Sequence, residues 1–251
     1  MQIDVRGKRV VVAGGSKGIG RSIALRFAAT GASVSICARS PGPLEETRKE
    51  LEALGATAHA ATCDLSSDAE IAAYIPKAAA ALGGIDVLVN NATGYGYADD
   101  EASWEQSLDV DLLAVVRASR AAMPYLEKSN DASIVNIASG SGLNPSVRAP
   151  AYGAAKAAVI HYTRTQAAAL VAKRIRANCV APGSIEFPGG VWDRRKRDDP
   201  KLYERTLANC PMGRMGRPEE VADVVLFLAS PMASWVTAQI IGVNGGQGLP
   251  R

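Results

Sequence analysis

The chain has 251 residues, 47% of them hydrophobic and 21% charged, with a formal net charge of +3. That is the composition of a folded globular protein long enough for one large α/β domain, and it excludes a disordered or fibrous chain. The small charge gives no reason to expect nucleic acid or an acidic membrane surface. No apolar run is long enough to span a bilayer, and MQIDVRGKRVVVAGG has no signal-peptide core before its glycines, so a cytoplasmic protein is expected.

Short apolar strands alternate with helical patterns, as in a parallel sheet covered on both faces. The first strand, Arg9–Ala13, runs into glycines and a helix over 18–30. Ser33–Ala38 precedes a helix over 43–54, and Thr57–Thr62 one over 68–82, which Pro76 is expected to kink or split. Asp86–Asn90 leads to a helix over 102–128, and Ser133–Ile137 to one over 151–173. Arg176–Ala181 is followed by a stretch without clear alternation, Phe187–Cys210, then a helix over 218–229 and a strand Ile240–Val243. There is no repeat or linker, so a single domain over 1–251 is expected. Cys37, Cys63, Cys179 and Cys210 have neither metal-ligand nor redox spacing, and buried free thiols are the simpler reading.

The first strand opens into Gly14-Gly15-Ser16-Lys17-Gly18-Ile19-Gly20 and then a helix. Glycines there permit a tight turn and close approach of backbone amides to phosphate, while the helix N-terminus favours a pyrophosphate. A strand before and a helix after favour a dinucleotide site over a plain glycine turn, in a Rossmann-type doubly wound α/β domain with a seven-stranded parallel sheet. An NAD-selective site places a carboxylate about 20 residues beyond the glycines. At that place this chain has Ala38 and Arg39. A guanidinium matches phosphate oxygens in a bidentate fork, so Arg39, with Lys17 nearby, points to NADP(H) in preference to NAD(H).

Tyr152 and Lys156 are about one helical turn apart in AYGAAKAAV, so they share a helix face. The ammonium is expected to lower the tyrosine pKa from its ordinary value near ~10. Ser139 follows the apolar run Ile134–Ile137, at the strand end where such sheets hold ligands. The run Arg194–Arg197 is read either as a solvated helix face or as part of a lid over about 187–210.

The glycine turn, Asp64-Leu65, Asn90-Asn91-Ala92, Ser139, Tyr152/Lys156, Pro182-Gly183, Gly213–Ala222 and Val243–Gly246 together resemble the short-chain dehydrogenase/reductase family, most nearly its 3-oxoacyl-carrier-protein reductase branch. The resemblance covers essentially the whole chain. It implies hydride transfer between a nicotinamide and a carbonyl or carbinol carbon, with Tyr152 as general acid, Lys156 lowering its pKa and Ser139 orienting the carbonyl. It further implies that Asp64 and Leu65 hold the adenine, that Asn90 supports the fourth strand, that Asn91 and Ala92 lie beside the cofactor, and that Pro182, Gly183 and Ile185 meet the nicotinamide. Four positions depart from the family pattern: Ala13 for a threonine, Thr93 for a glycine, Phe187 for a threonine, and Asp111 for the asparagine that completes a catalytic tetrad. A water relay from Asp111 to Lys156 is expected by that resemblance. So is a homotetramer joined through the long helices and the last strand, with Ala154, Ala155, Ala157 and Ala158 permitting close approach.

The expected activity is therefore NADPH-dependent reduction of a small-molecule or acyl-carrier-bound ketone. The alternatives are a dehydrogenase for a hydrophobic secondary alcohol, such as a sterol or cyclic alcohol, under an apolar lid of Phe187, Trp192 and Tyr203, or a dinucleotide-binding sensor that does not catalyse. Arg194–Arg197 could meet an acidic carrier protein or a CoA phosphate.

Overall fold

The computed structural model describes residues 3–249. Seven strands form one sheet: β1 (Arg9–Ala13), β2 (Ser33–Ala38), β3 (Ala58–Thr62), β4 (Val87–Asn90), β5 (Ser133–Ile137), β6 (Arg176–Pro182) and β7 (Ile240–Val243). Their order is β3-β2-β1-β4-β5-β6-β7, with every neighbouring pair parallel. The chain reverses its direction of winding between β1 and β4, and parallel sheets bind ligands beyond the strand ends at such a point.

Strand periodicity divides the core into two layers. Val10 and Val12 face one way and pack with Phe27, Ile36 and Val225. Val11 and Ala13 face the other way, with Ile75, Leu88, Leu126 and Ile134. Helices α1 (Gly18–Ala29), α2 (Pro41–Ala53) and α9 (Pro218–Ala229) supply the first layer. Helices α3 (Asp68–Leu82), α5 (Ala114–Leu126) and α6 (Pro150–Leu170) supply the second.

Two expectations are corrected. Helix α3 is not split at Pro76. Ile71, Tyr74, Ile75, Ala78 and Ala79 are buried on both sides of the proline, while Pro76 and Ala72 face solvent, where water can satisfy the carbonyl left without an amide donor. The helix expected over 102–128 is three pieces: α4 (Glu101–Gln106), a π-helical segment Ser107–Leu113, and α5. The stretch after β6 contains two short helices, α7 (Val191–Asp198) and α8 (Pro200–Ala208). All four cysteines are buried and unpaired.

Candidate active site

The β1–α1 turn is held against the end of β4. Gly14 has φ +88°, and a Cβ there would stand 2.9 Å from the Ala92 backbone. Asn91 Nδ2 donates to the Gly14 carbonyl at 2.8 Å, and the Gly14 and Gly15 amides both donate to Cys37 O at 3.1 Å. Ser16 and Lys17 follow, and α1 begins at Gly18. The first-turn amides of Gly18, Ile19 and Gly20 thus have no helical carbonyl behind them, the arrangement that suits a phosphate.

Arg39 and Lys17 are exposed at this edge. Asp64 accepts hydrogen bonds from the Ser66 amide (2.9 Å) and hydroxyl (2.8 Å). These hold its carboxyl below the usual range, with a further contribution from the Arg39 charge. Arg39 therefore has an acidic neighbour that its place in the sequence did not reveal. Leu65 is buried among Ile71 and Ile75, so its backbone is the part left to face a ligand. Asn90 Nδ2 donates to Asn136 Oδ1 at 2.8 Å, tying β4 to β5. Pro182 ends β6, the Gly183 amide donates to Val243 O at 3.0 Å, and Ile185 is buried. Gln247 Oε1 accepts from the Ser184 amide at 2.7 Å, pinning this segment to the C-terminal loop. Nothing in the sequence singled out Gln247.

Ser139, Tyr152, Lys156 and Asp111 come together at the ends of β4 and β5. Ser139 follows β5, and its hydroxyl accepts from the Ser141 amide at 3.1 Å. Lys156 Nζ lies 5.7 Å from the Tyr152 ring centroid and donates to Ile137 O at 3.0 Å. It is also 3.0 Å from Asp111 Oδ1, with the two side chains only 2% and 0% exposed. Asp111 Oδ2 accepts from the Gly94 amide at 3.1 Å. The π-helical segment carries Asp111 to this contact, which is direct rather than through the expected water.

The expected lowering of the Tyr152 pKa is also corrected. Burial pushes the phenol up; Lys156 and a hydrogen bond with Ser139 pull it down, Asp111 pushes it up again, and the net position is above the ordinary value. For Lys156 burial acts downward, but Asp111 and Tyr152 outweigh it and hold the ammonium above its usual range.

Two tyrosines that sequence reasoning missed form a wall beside Tyr152. Tyr97 meets the Tyr152 ring edge-on at 5.7 Å, and Tyr95 meets Tyr97 edge-on at 5.8 Å. Tyr95 is 46% exposed and has φ +61°. The available signal was GYGY directly after Asn-Asn-Ala-Thr, where flanking glycines let the loop carry two aromatic rings. The proposed lid aromatics act otherwise. Tyr203 is buried with Cys210 and Met215, Trp192 packs against them, and the Tyr203 hydroxyl donates to Glu186 at 3.1 Å. Phe187 lies on the glycine turn, where a Cβ on Gly18 (φ +53°) would be 2.7 Å from the ring's Cε2. In the basic run, Lys196 pairs with Glu186 and Arg197 with Asp193, both at 3.6 Å, while the charge of Arg194 reaches the phenols of Tyr95 and Tyr97.

The sequence profile of the family described as enoyl-(acyl carrier protein) reductase matches residues 13–247. The 3-oxoacyl-[acyl-carrier-protein] reductase FabG of Thermotoga maritima is 36% identical over 249 residues, covering 96% of this chain and 98% of that protein. The chain belongs to the short-chain dehydrogenase/reductase family. The 7alpha-hydroxysteroid dehydrogenase of Escherichia coli K12 is 34% identical to this short-chain dehydrogenase/reductase over 244 residues, covering 96% and 94%. A 7alpha-hydroxysteroid dehydrogenase solved with NADH and 7-oxo glycochenodeoxycholic acid superposes with a TM-score of 0.90 at 33% identity, over 98% of this chain and 97% of that one.

This short-chain dehydrogenase/reductase is accordingly an NAD(P)-dependent oxidoreductase acting on CH–OH groups and carbonyls. Its residues fit a nicotinamide dinucleotide. The N-terminus of α1 lies beside the glycine turn, and the Thr93 hydroxyl is buried beyond Asn91-Ala92 without a protein partner. No helix among the described residues is long and apolar enough to cross a membrane.

Proposed function

We propose that this chain is an NADPH-dependent reductase that converts a ketone, of 3-oxoacyl type or a related carbonyl compound, to a secondary alcohol. The observation that carries the reading is the meeting of Ser139, Tyr152 and Lys156 at the sheet edge beside the glycine turn. When bound, the dinucleotide supplies the hydride that reaches the carbonyl carbon. Tyr152 gives its phenolic proton to the carbonyl oxygen, and the buried Lys156 ammonium stabilises the phenolate left behind. Ser139 orients the carbonyl and stabilises negative charge developing on its oxygen. Gly14–Gly20 hold the pyrophosphate. Arg39 and Lys17, with no carboxylate at the end of β2, support the phosphorylated cofactor.

A second reading, a dehydrogenase for a hydrophobic cyclic alcohol, is favoured by the Tyr95–Tyr97 wall, which offers ring faces next to Tyr152. The α7–α8 segment would cover the substrate. We also propose a homotetramer; the exposed Ala154 and Ala157 on α6 and the half-exposed edge strand β7 support it, whereas Ala155 is buried in its own subunit. The test is loss of reduced-nicotinamide absorbance with NADPH and, in parallel, NADH, against 3-oxoacyl thioesters, small acyclic ketones and cyclic ketones. Turnover with NADPH on thioesters or acyclic ketones is expected. Turnover confined to cyclic substrates favours the second reading, and binding without turnover favours a sensor.

A further inference from the structure

Asp111 puts a carboxyl group where a neutral side chain would accept the same hydrogen bond. The Gly94 amide needs only an acceptor, and Lys156 already donates to Ile137 O, so neither contact requires a carboxylate. The second oxygen of Asp111 lies 3.0 Å from the ammonium, and neither side chain reaches solvent. In so dry a place the two charges act strongly on each other, and the carboxylate offsets part of the pull of the ammonium on a third group.

We propose that Asp111, through this buried pair, is a positioning residue that offsets part of the Lys156 charge and holds Tyr152 toward its proton-donating form, setting the site for carbonyl reduction over neutral and mildly alkaline pH. The inference rests on the reading of Tyr152 as the proton donor. The groups around Tyr152 are consistent with it. Lys156 comes from the same helix, Ser139 from the end of β5, Asp111 from the π-helical segment, and Tyr97, backed by Tyr95, from the loop after β4. Arg194 on α7 acts on Tyr95 and Tyr97, and Cys179 on β6 acts on Lys156. Among the described residues, Lys156 is the cation acting directly on the Tyr152 phenol, and Asp111 opposes it. Carbonyl reduction consumes the phenolic proton once per turnover and must regain it from solvent. Alcohol oxidation needs the phenolate at the start, so the same pair makes oxidation depend on a higher pH.

The test is a phenolate-absorbance titration of the full chain without cofactor, with the Tyr152→Phe protein as reference so that the difference isolates Tyr152 among the seven tyrosines. In Asp111→Asn the Tyr152 midpoint is expected to fall by roughly one pH unit or more, because the uncancelled ammonium then favours the phenolate. The alkaline limb of kcat/KM for ketone reduction is expected to fall with it. Asp111→Ser, which also removes the carboxylate, provides the same test should the asparagine variant not fold. A midpoint that stays in place or rises in a folded variant overturns the inference, since loss of a merely structural contact lowers stability without moving the phenol. Absence of ketone turnover in the wild type would instead defeat the reductase reading, and the titration would still decide the effect of Asp111.

Discussion

The side-chain amide of Asn91, just past β4, donates a 2.8 Å hydrogen bond to the carbonyl of Gly14, the first residue beyond β1. β1 and β4 are neighbours in the sheet although two strands intervene in sequence, and this bond closes the crevice between them on the cofactor side. Replacing Asn91 with Ala leaves the Gly14 carbonyl without that donor, at a cost of about 0.5–1.5 kcal/mol. The NADPH dissociation constant, measured by nucleotide fluorescence, is expected to rise by roughly two- to tenfold.

Arg39 is the residue proposed to favour a phosphorylated cofactor. Arg39→Asp is expected to raise KM for NADPH by about tenfold or more while leaving that for NADH within a few-fold, because it exchanges the cation proposed to meet the phosphate for a repelling charge. Parallel kinetics with the two nucleotides check this. Equal effects on both would place the selectivity elsewhere, with Lys17 the next cation to change.

Tyr97 touches Tyr152 through its ring, not its hydroxyl, in the edge-on contact at 5.7 Å. Tyr97→Phe is therefore expected to leave ketone reduction nearly unchanged. Tyr97→Ala removes an aromatic contact of about 0.5–1.5 kcal/mol and part of the cleft wall, so KM is expected to rise most for the bulkiest ketone. Steady-state kinetics on both variants distinguish ring from hydroxyl.

Glu220 anchors the start of α9. It accepts from Arg214 at 2.9 Å and from the Arg217 amide at 2.7 Å, and these bonds hold its carboxyl at about 2. A carboxyl lowered on folding stabilises the protein above its unfolded pKa, near ~4.3, and that contribution is lost as pH falls through the folded value. Glu220→Gln is expected to lower the melting temperature at pH 7, with the difference from wild type shrinking between about pH 4.3 and pH 2.

The fold was legible because central strands buried on both faces are nearly continuous apolar runs. β1, β2, β5 and β7 have the bounds that the sequence suggests, and β3, β4 and β6 differ by one residue at an end. Ser139, Tyr152 and Lys156 were legible because each lies at a fixed offset from a strand end or one helical turn from another. The π-helical segment was not, since nothing in SLDVDLL distinguishes its periodicity from that of an α-helix. With it went the Asp111–Lys156 contact, which exists only between distant elements. The Tyr152 pKa escaped for a related reason: a neighbouring lysine can be read from spacing, but the opposing effects of burial and a second charge cannot. Tyr95 and Tyr97 sit in a loop, where no periodicity marks which side chains face the cleft.

The most direct test of the proposed chemistry is ketone-dependent NADPH oxidation by Tyr152→Phe beside NADPH binding to the same protein. The phenylalanine keeps the ring and removes only the proton donor. Turnover is expected to vanish while the NADPH dissociation constant stays within a few-fold of wild type. A Tyr152→Phe protein that oxidises NADPH at the wild-type rate would contradict the assignment of Tyr152 as the acid.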